Sequence, residues 1–123
     1  MILVDTSVWI DHLRTADLTL TDLLGRDEVA CHPLVIQELA LGSIKNRAVV
    51  LASLGRLRQC PSLSHDEVLT LVSSRGLWGK GLSAVDVHLL GSALLSAGTQ
   101  LWTRDNGLRA SARSLGVVPV VWH

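Results

Sequence analysis

Short apolar runs alternate along the chain with longer segments in which apolar residues recur every three or four positions. Runs 1–4, 28–31 and 99–103 have the length of buried strands. Run 117–122 predicts a final strand, and 59–63 predicts a weak strand or an extended link. Because these runs are separated by segments with helical periodicity, the pattern predicts an α/β fold: a central, mostly parallel β-sheet flanked by helices.

Capping residues and glycines set the predicted helix boundaries. Ser64 and Ser83 each stand three residues before an acidic residue, which is the pattern of a capping box at a helix start. The predicted helices are Ser7 to about Arg14, a short helix capped by Thr19 or Thr21 and ending near Gly25, Leu34–Leu41, Asn46–Leu57, Ser64 to Gly76, Ser83 to Gly98, and Asp105 to Gly116. No linker or repeat interrupts the pattern, so we expect one domain over residues 1–123.

The overall composition is that of a water-soluble domain with an aliphatic core. Hydrophobic residues make up 48% of the chain, and four tryptophans are present without phenylalanine or tyrosine. No apolar run approaches the roughly 20 residues of a membrane-spanning helix, and the N-terminal residues do not form a signal peptide. Cys31 and Cys60 lie far apart in the sequence and do not have the spacing of metal ligands. They are interpreted as buried free cysteines, which are typical of proteins in reducing compartments. We therefore expect a cytoplasmic protein without membrane association.

Charge is balanced overall but unevenly distributed. The chain has 11 basic and 11 acidic residues, so its net charge gives no support to nucleic-acid binding. After position 67, however, the acidic residues are Asp86 and Asp105 alone, in an otherwise basic half. Arg75, Lys80 and Arg104 fall in this half and are candidate contacts for phosphate groups, with solvated surface charge as the alternative interpretation.

Four acidic residues stand where function is expected. Asp5 follows the first predicted strand and Asp105 follows 99–103, and ligands of parallel sheets bind beyond the carboxyl ends of the strands. Glu38 and Asp86 occupy helix positions with apolar neighbours, where an isolated carboxylate is costly. Converging carboxylates repel one another unless a cation is present, and oxygen ligands of this kind suit Mg²⁺ or Mn²⁺. Such an ion supports phosphodiester hydrolysis.

Each acid also has a simpler structural interpretation. Asp5 and Asp105 precede helices that they could cap, and Asp86 completes the S-x-x-D pattern begun by Ser83. Glu38 is hardest to explain in this way, because its helix is short and apolar and is expected to leave it little solvent. A zinc site is disfavoured, since no two histidines are spaced i, i+4 and no H-E-x-x-H motif occurs.

Four segments carry a family resemblance over essentially the whole chain. "ILVDTSVWID", "HPLVIQELALG", "GLSAVDVHLLGSAL" and "LWTRDNGLRASARSLGV" follow one another in the order of the PIN-domain ribonucleases. The chain most resembles the VapC toxins of bacterial toxin–antitoxin pairs. The resemblance implies a three-layer PIN-like fold and a type II toxin that hydrolyses RNA endonucleolytically. It also implies Mg²⁺ or Mn²⁺ as cofactor, a VapB-like antitoxin as inhibitory partner, and a homodimer.

Carried over by motif, the resemblance implies an acidic site made of Asp5, Glu38, Asp86 and Asp105. Asp5, Asp86 and Asp105 would hold the metal, and Glu38 would complete the cluster and act on the attacking water. The supporting hydroxyl near the first acid would be Thr6 or Ser7, of which Ser7 matches better, and Thr103 would orient the site. One departure is "NGL" after Asp105, where an aromatic residue is common; we expect Leu108 to supply that packing.

Three other functions were weighed. A PIN-like nuclease that processes RNA outside a toxin–antitoxin pair would use the same acids. A non-catalytic PIN-like binding module would lack members of the acidic set, and this chain keeps all four. A phosphoacceptor receiver domain needs an acceptor Asp near mid-chain and a Lys after its last strand. Residues 50–63 contain no acid and residues 114–123 no lysine, which disfavours it.

Overall fold

A computed structural model describes residues 1–120; the last three residues, 121–123, lie outside the described part. The end of the predicted strand 117–122 and His123 therefore lie outside it. The elements in chain order are β1 (Ile2–Val4), α1 (Thr6–Arg14), α2 (Leu18–Gly25), β2 (Val29–Cys31), α3 (Pro33–Ala40), α4 (Arg47–Gly55), β3 (Arg58–Gln59), α5 (His65–Arg75), α6 (Ala84–Leu95), β4 (Gln100–Trp102) and α7 (Asn106–Leu115).

The strands form one parallel sheet, which confirms the predicted α/β class. Their order is β3-β2-β1-β4, and every pairing among them is parallel. Beyond β4, an isolated parallel bridge joins Leu101 to Pro119, inside the predicted last strand. Because β1 lies between β2 and β4, the residue that follows β1 stands in the middle of the carboxyl edge of the sheet. That residue is Asp5.

The core is mainly aliphatic, as the composition predicts, but two tryptophans contribute to it. Leu3 and Val4 of β1 are fully buried, and Leu89 and Leu90 of α6 are buried equally completely. Leu108, expected to replace the common aromatic residue, is also fully buried. Trp9 and Trp102 are inside as well. A β1 strand without solvent contact on either face is typical of a parallel sheet covered by helices on both sides.

Some element boundaries differ from those predicted. The predicted caps of α2, Thr19 and Thr21, are wrong: the N-cap is Asp17, whose carboxylate accepts a hydrogen bond from the Leu20 amide at 3.0 Å. An ionised carboxylate accepts amide hydrogen bonds more strongly than a threonine hydroxyl. Helix α6 ends at Leu95 rather than near Gly98. Strand β3 covers two residues and overlaps the predicted 59–63 only at its first position.

The predicted capping boxes and the buried, unpaired cysteines are confirmed. Both predicted capping boxes form, at Ser64 with Glu67 and at Ser83 with Asp86. Cys31 and Cys60 are free and buried, and burial raises the pKa of the Cys31 thiol to about 11. Among the described helices, none has both the length and the apolar character needed to cross a membrane.

Candidate active site

Asp5 is held as an acceptor of side-chain hydroxyls and does not cap the helix that follows it. It occupies the N-cap position of α1, yet its side chain makes no capping hydrogen bond. Instead its Oδ2 atom accepts hydrogen bonds from Ser7 Oγ at 2.7 Å and from Thr103 Oγ1 at 2.8 Å. The carboxylate is buried, and none of residues 1–120 donates to Oδ1. The capping alternative for Asp5 is therefore wrong.

Thr103 joins the ends of β1 and β4. Its hydroxyl donates to Asp5 and accepts a hydrogen bond from the Asp105 amide at 3.0 Å. A second link runs parallel to it, because the Arg104 amide donates to Ser7 Oγ at 3.1 Å. The backbone adds a third, from the Asp5 amide to the Trp102 carbonyl. These bonds fix two acidic segments, nearly one hundred residues apart in sequence, against each other.

Asp86 and Asp105 do cap helices, and each uses one oxygen to do so. Asp105 Oδ1 accepts from the Leu108 amide at 2.9 Å at the start of α7, and Asp86 Oδ2 accepts from the Ser83 amide at 3.0 Å at the start of α6. No described residue donates to the second oxygen of either carboxylate. Capping therefore orients both side chains and leaves one oxygen of each for another ligand.

The pKa of Asp86 indicates that two other acids lie within electrostatic reach of it. Burial raises the pKa of Asp86, and the negative charges of Asp5 and Asp105 raise it further, against the lowering effect of the Ser83 hydrogen bonds. Like charges raise a carboxyl pKa only when they lie close together. Asp86 is thus a half-buried carboxylate facing two others, an arrangement that a cation would stabilise.

Glu38 lies differently from its prediction. It is exposed, not shielded from solvent, because α3 buries the stripe containing Val35 and Leu39 while its presumed apolar neighbour Leu41 is 90% exposed. Its Oε1 atom accepts a hydrogen bond from Thr6 Oγ1 at 2.6 Å. Thr6 directly follows Asp5, so Glu38 is tied to the same turn as the other acids. The two candidate hydroxyls therefore support different acids: Ser7 donates to Asp5, and Thr6 donates to Glu38.

The predicted phosphate contacts have different surroundings. Arg104 Nε pairs with Asp11 at 3.1 Å and Nη2 with Asp17 at 3.5 Å, so its guanidinium is already engaged by two carboxylates. Arg75, at the end of α5, and Lys80, in the loop before α6, are exposed and have no ion pair with any of residues 1–120. The two free cations are therefore better placed than Arg104 to meet an added anion.

Two contacts that support the site were missed in the sequence. Thr6 could not be assigned to Glu38, since the contact depends on the packing of α1 against α3. Arg109 had no predicted structural role, yet its Nη2 donates to the Thr103 carbonyl at 2.8 Å and its Nη1 to Asn106 Oδ1 at 2.7 Å. Its position on the first turns of α7 was the available signal. Arg109 braces the turn that carries Thr103 and Asp105.

The donor set fits a hard divalent cation that keeps much of its water shell. Within residues 1–120, no three His, Cys, Asp or Glu side chains are close enough to bind one ion directly. Mg²⁺ is usually held by one or two carboxylates and several waters, so it does not require a closed protein cage. The convergence of Asp5, Asp86 and Asp105, all oxygen donors with one oxygen free of hydrogen bonds, matches that requirement.

The buried histidine near this edge plays a structural part. His32 caps α3, because its Nδ1 atom accepts from the Leu34 amide at 3.0 Å. Its ring centroid lies 5.8 Å from that of His88. Burial lowers the pKa of His32, and the neighbouring charge of His88 lowers it further. A zinc-ligand role thus gains no support from the described geometry.

Comparisons with known proteins agree with this geometry. A sequence profile of the PIN domain matches residues 2–113. Ribonuclease VapC32 of Mycobacterium tuberculosis is 63% identical over 117 residues, which are 95% of this chain and 94% of the relative, and the protein matches equally in the CDC 1551 and H37Rv strains.

A solved structure supports the fold independently. The crystal structure of PAE2754 from Pyrobaculum aerophilum matches with a TM-score of 0.62, covering 97% of this chain and 88% of that one. Its sequence is 21% identical, so the likeness concerns the fold alone. The match supports the three-layer arrangement of helices around the parallel sheet of this chain.

Proposed function

The chain belongs to the PIN-domain family and is a VapC-type endoribonuclease, and we propose that it hydrolyses RNA with Mg²⁺ or Mn²⁺ held at the carboxyl edge of its sheet. The observation that carries the proposal is the network in which Ser7 and Thr103 fix Asp5 beside Asp105. Burial raises the pKa of Asp86, and the negative charges of Asp5 and Asp105 raise it further, which supports placing Asp86 at the same site.

Asp5, Asp86 and Asp105 are the residues that would hold the ion, directly or through water. A bound Mg²⁺ or Mn²⁺ supplies charge neutralisation and lowers the pKa of bound water. The chain's own contribution is preorganisation. Two hydroxyls hold Asp5, and two helix N-termini hold Asp86 and Asp105, so each carboxylate is oriented before any ligand arrives.

Glu38 is the residue we assign to the attacking water. Thr6 holds Oε1, which leaves Oε2 to accept a hydrogen bond from water and take its proton. The water oxygen then bonds to phosphorus, the phosphodiester P–O bond breaks, and the leaving oxygen gains a proton from solvent. Because water is the nucleophile, no covalent intermediate with the protein forms.

Purified protein tests this proposal. It is expected to cut RNA when Mg²⁺ or Mn²⁺ is added and to stop when a chelator removes the ion. Asp5→Asn is expected to abolish cutting with an unchanged circular dichroism spectrum. Asp27→Asn is the matched control: Asp27 is exposed before β2, at the opposite edge of the sheet, and its left-handed φ of 55° is readily adopted by asparagine. Undiminished cutting by Asp5→Asn would refute the proposed site.

The biological setting proposed is that of a cytoplasmic type II toxin restrained by a VapB-like antitoxin, with the toxin acting as a homodimer. Arg75, Lys80 and Arg104 are the proposed RNA phosphate contacts. Induction of the chain alone is expected to arrest growth, and co-expression of a small DNA-binding protein encoded beside it is expected to relieve the arrest. Growth arrest that persists with Asp5→Asn would argue for an effect other than RNA cleavage.

A further inference from the structure

The loop between α5 and α6 presents one tryptophan to solvent. Leu77, which is buried, anchors its first part, and the Leu77 amide donates to the Val72 carbonyl at 3.0 Å. The next residue, Trp78, is 69% exposed. Its ring lies over Gly76: the ring atom Cζ3 is 3.9 Å from the position that a Cβ on Gly76 would occupy. The ring is thus supported at one edge and open over most of its surface.

This exposure sets Trp78 apart from the other tryptophans of the described chain. Trp9 and Trp102 are 3% and 2% exposed, as expected for large apolar side chains. Its exposure excludes Trp78 from the hydrophobic core. The exposed indole has no hydrogen-bond partner among residues 1–120, so it is open to a ligand with an aromatic or apolar face.

The charges around the ring favour a nucleic acid over a protein. Arg75 and Lys80 flank Trp78, both exposed and without an ion pair in the described chain, and residues 68–85 contain no acid. A protein-docking face would combine several exposed apolar side chains, whereas the exposed residues that follow Trp78 in the sequence are Gly79, Lys80 and Gly81. An aromatic ring between cations is instead the arrangement that binds single-stranded nucleic acid.

The loop is also continuous with the proposed site. It ends at Ser83, which forms the capping box with Asp86. Gly79 and Gly81 adopt left-handed φ values of 70° and 75°, so Lys80 is held in a defined bend between them. The loop that carries Trp78 therefore leads directly into the helix that carries Asp86, eight residues later in the chain.

We infer that Trp78 is a base-stacking residue, and that it forms with Arg75 and Lys80 a subsite for a single-stranded nucleotide flanking the scissile phosphate. This inference rests on the proposed ribonuclease function. Stacking on an aromatic face tolerates every base, so the subsite contributes affinity and placement more than sequence choice.

Two probes separate stacking from charge attraction. The first is a short fluorescein-labelled single-stranded RNA of mixed sequence, whose binding is followed by anisotropy in the presence of a chelator to prevent cleavage. The second is inorganic polyphosphate, which has the charge of RNA but no bases. Trp78→Ala is expected to weaken RNA binding about 5- to 150-fold, the range for loss of one stacked base, and to leave polyphosphate binding unchanged. Lys80→Ala is expected to weaken both.

Controls keep the inference refutable. Trp78→Phe keeps an aromatic face and is expected to recover most of the RNA affinity, and Leu41→Ala removes another exposed apolar side chain and is expected to have no effect. Equal RNA affinity for wild type and Trp78→Ala would overturn the inference. A Trp78→Ala variant that sediments differently from wild type but binds RNA equally well would also overturn it, because Trp78 would then belong to a protein contact. Failure of the ribonuclease proposal would give a different result: the wild-type protein would bind RNA but would not cut it when Mg²⁺ or Mn²⁺ is added.

Discussion

Thr103→Val removes the hydroxyl that links the two acid-bearing segments while keeping the shape of the side chain. In the folded protein, that hydroxyl donates to the Asp5 carboxylate and accepts from the Asp105 amide, and Thr103 is only 2% exposed. Water therefore cannot replace either bond without a rearrangement. We expect the variant to be less stable and to cut RNA more slowly, because Asp5 and Asp105 lose their common support.

The expected loss of stability follows from the two bonds. A hydrogen bond to a charged group contributes about 1.5–3 kcal/mol, and one between neutral groups about 0.5–1.5 kcal/mol. Since the two bonds share one atom, their contributions are not independent, and we expect a decrease of about 2–4 kcal/mol in the free energy of unfolding. Urea unfolding followed by circular dichroism measures it directly.

Two variants complete this test. Thr21→Val also removes a threonine hydroxyl, but one that donates to the Asp17 carbonyl within an exposed helix, and it is expected to change stability by less than about 0.5 kcal/mol. Thr103→Ser retains the hydroxyl and is expected to lose only about 0.8 kcal/mol, the contribution of the buried methyl group. If Thr103→Val proves as stable as Thr21→Val, the hydroxyl does not join the two segments as described.

Two further predictions concern Glu38 and His32. Thr6→Val is expected to lower the kcat of RNA cleavage about tenfold with little change in KM, which is the effect of one lost hydrogen bond. Thr6→Ser keeps the hydroxyl and is expected to restore the kcat. If adding Thr6→Val to Glu38→Gln lowers the kcat by the same factor again, Thr6 does not act through Glu38. Because the pKa of His32 is lowered in the folded state, the unfolded chain binds the proton more readily, and stability should fall as pH falls below 6.5, the ordinary value. His32→Asn keeps an acceptor for the Leu34 amide and should show a shallower fall in denaturant titrations at several pH values; an unchanged slope would contradict the assignment to His32.

The sheet and the central acid could be predicted because their signals are local. An apolar run of four residues followed by a carboxylate predicts a buried strand with Asp5 at its end, and the structure has both. Whether Asp5 capped α1 could not be decided locally, because its partner Thr103 is 98 residues away. For Asp86 and Asp105, capping and a functional role seemed to be alternatives, but each carboxylate has two oxygens and the structure uses one of each.

The error at Glu38 shows the limit of helical periodicity in a short helix. Leu34, Val35, Leu41 and Gly42 lie at the correct spacing for one apolar face, but α3 ends at Ala40 and the chain turns away, so Leu41 is exposed. The buried stripe is set by which side of α3 meets α4 and α1. That depends on tertiary packing, which the spacing of apolar residues in eight positions does not determine.

The most direct test of the metal site is a calorimetric titration of the folded protein with Mn²⁺, comparing wild type, Asp86→Asn and the control Asp27→Asn. Asparagine keeps a side-chain oxygen that can accept the Ser83 hydrogen bond, so Asp86→Asn removes charge with little change in shape. The account predicts binding to wild type and to Asp27→Asn, and binding to Asp86→Asn that is weaker by at least about tenfold. Equal Mn²⁺ affinity in all three proteins would contradict the claim that the carboxylates at the edge of the sheet hold the ion.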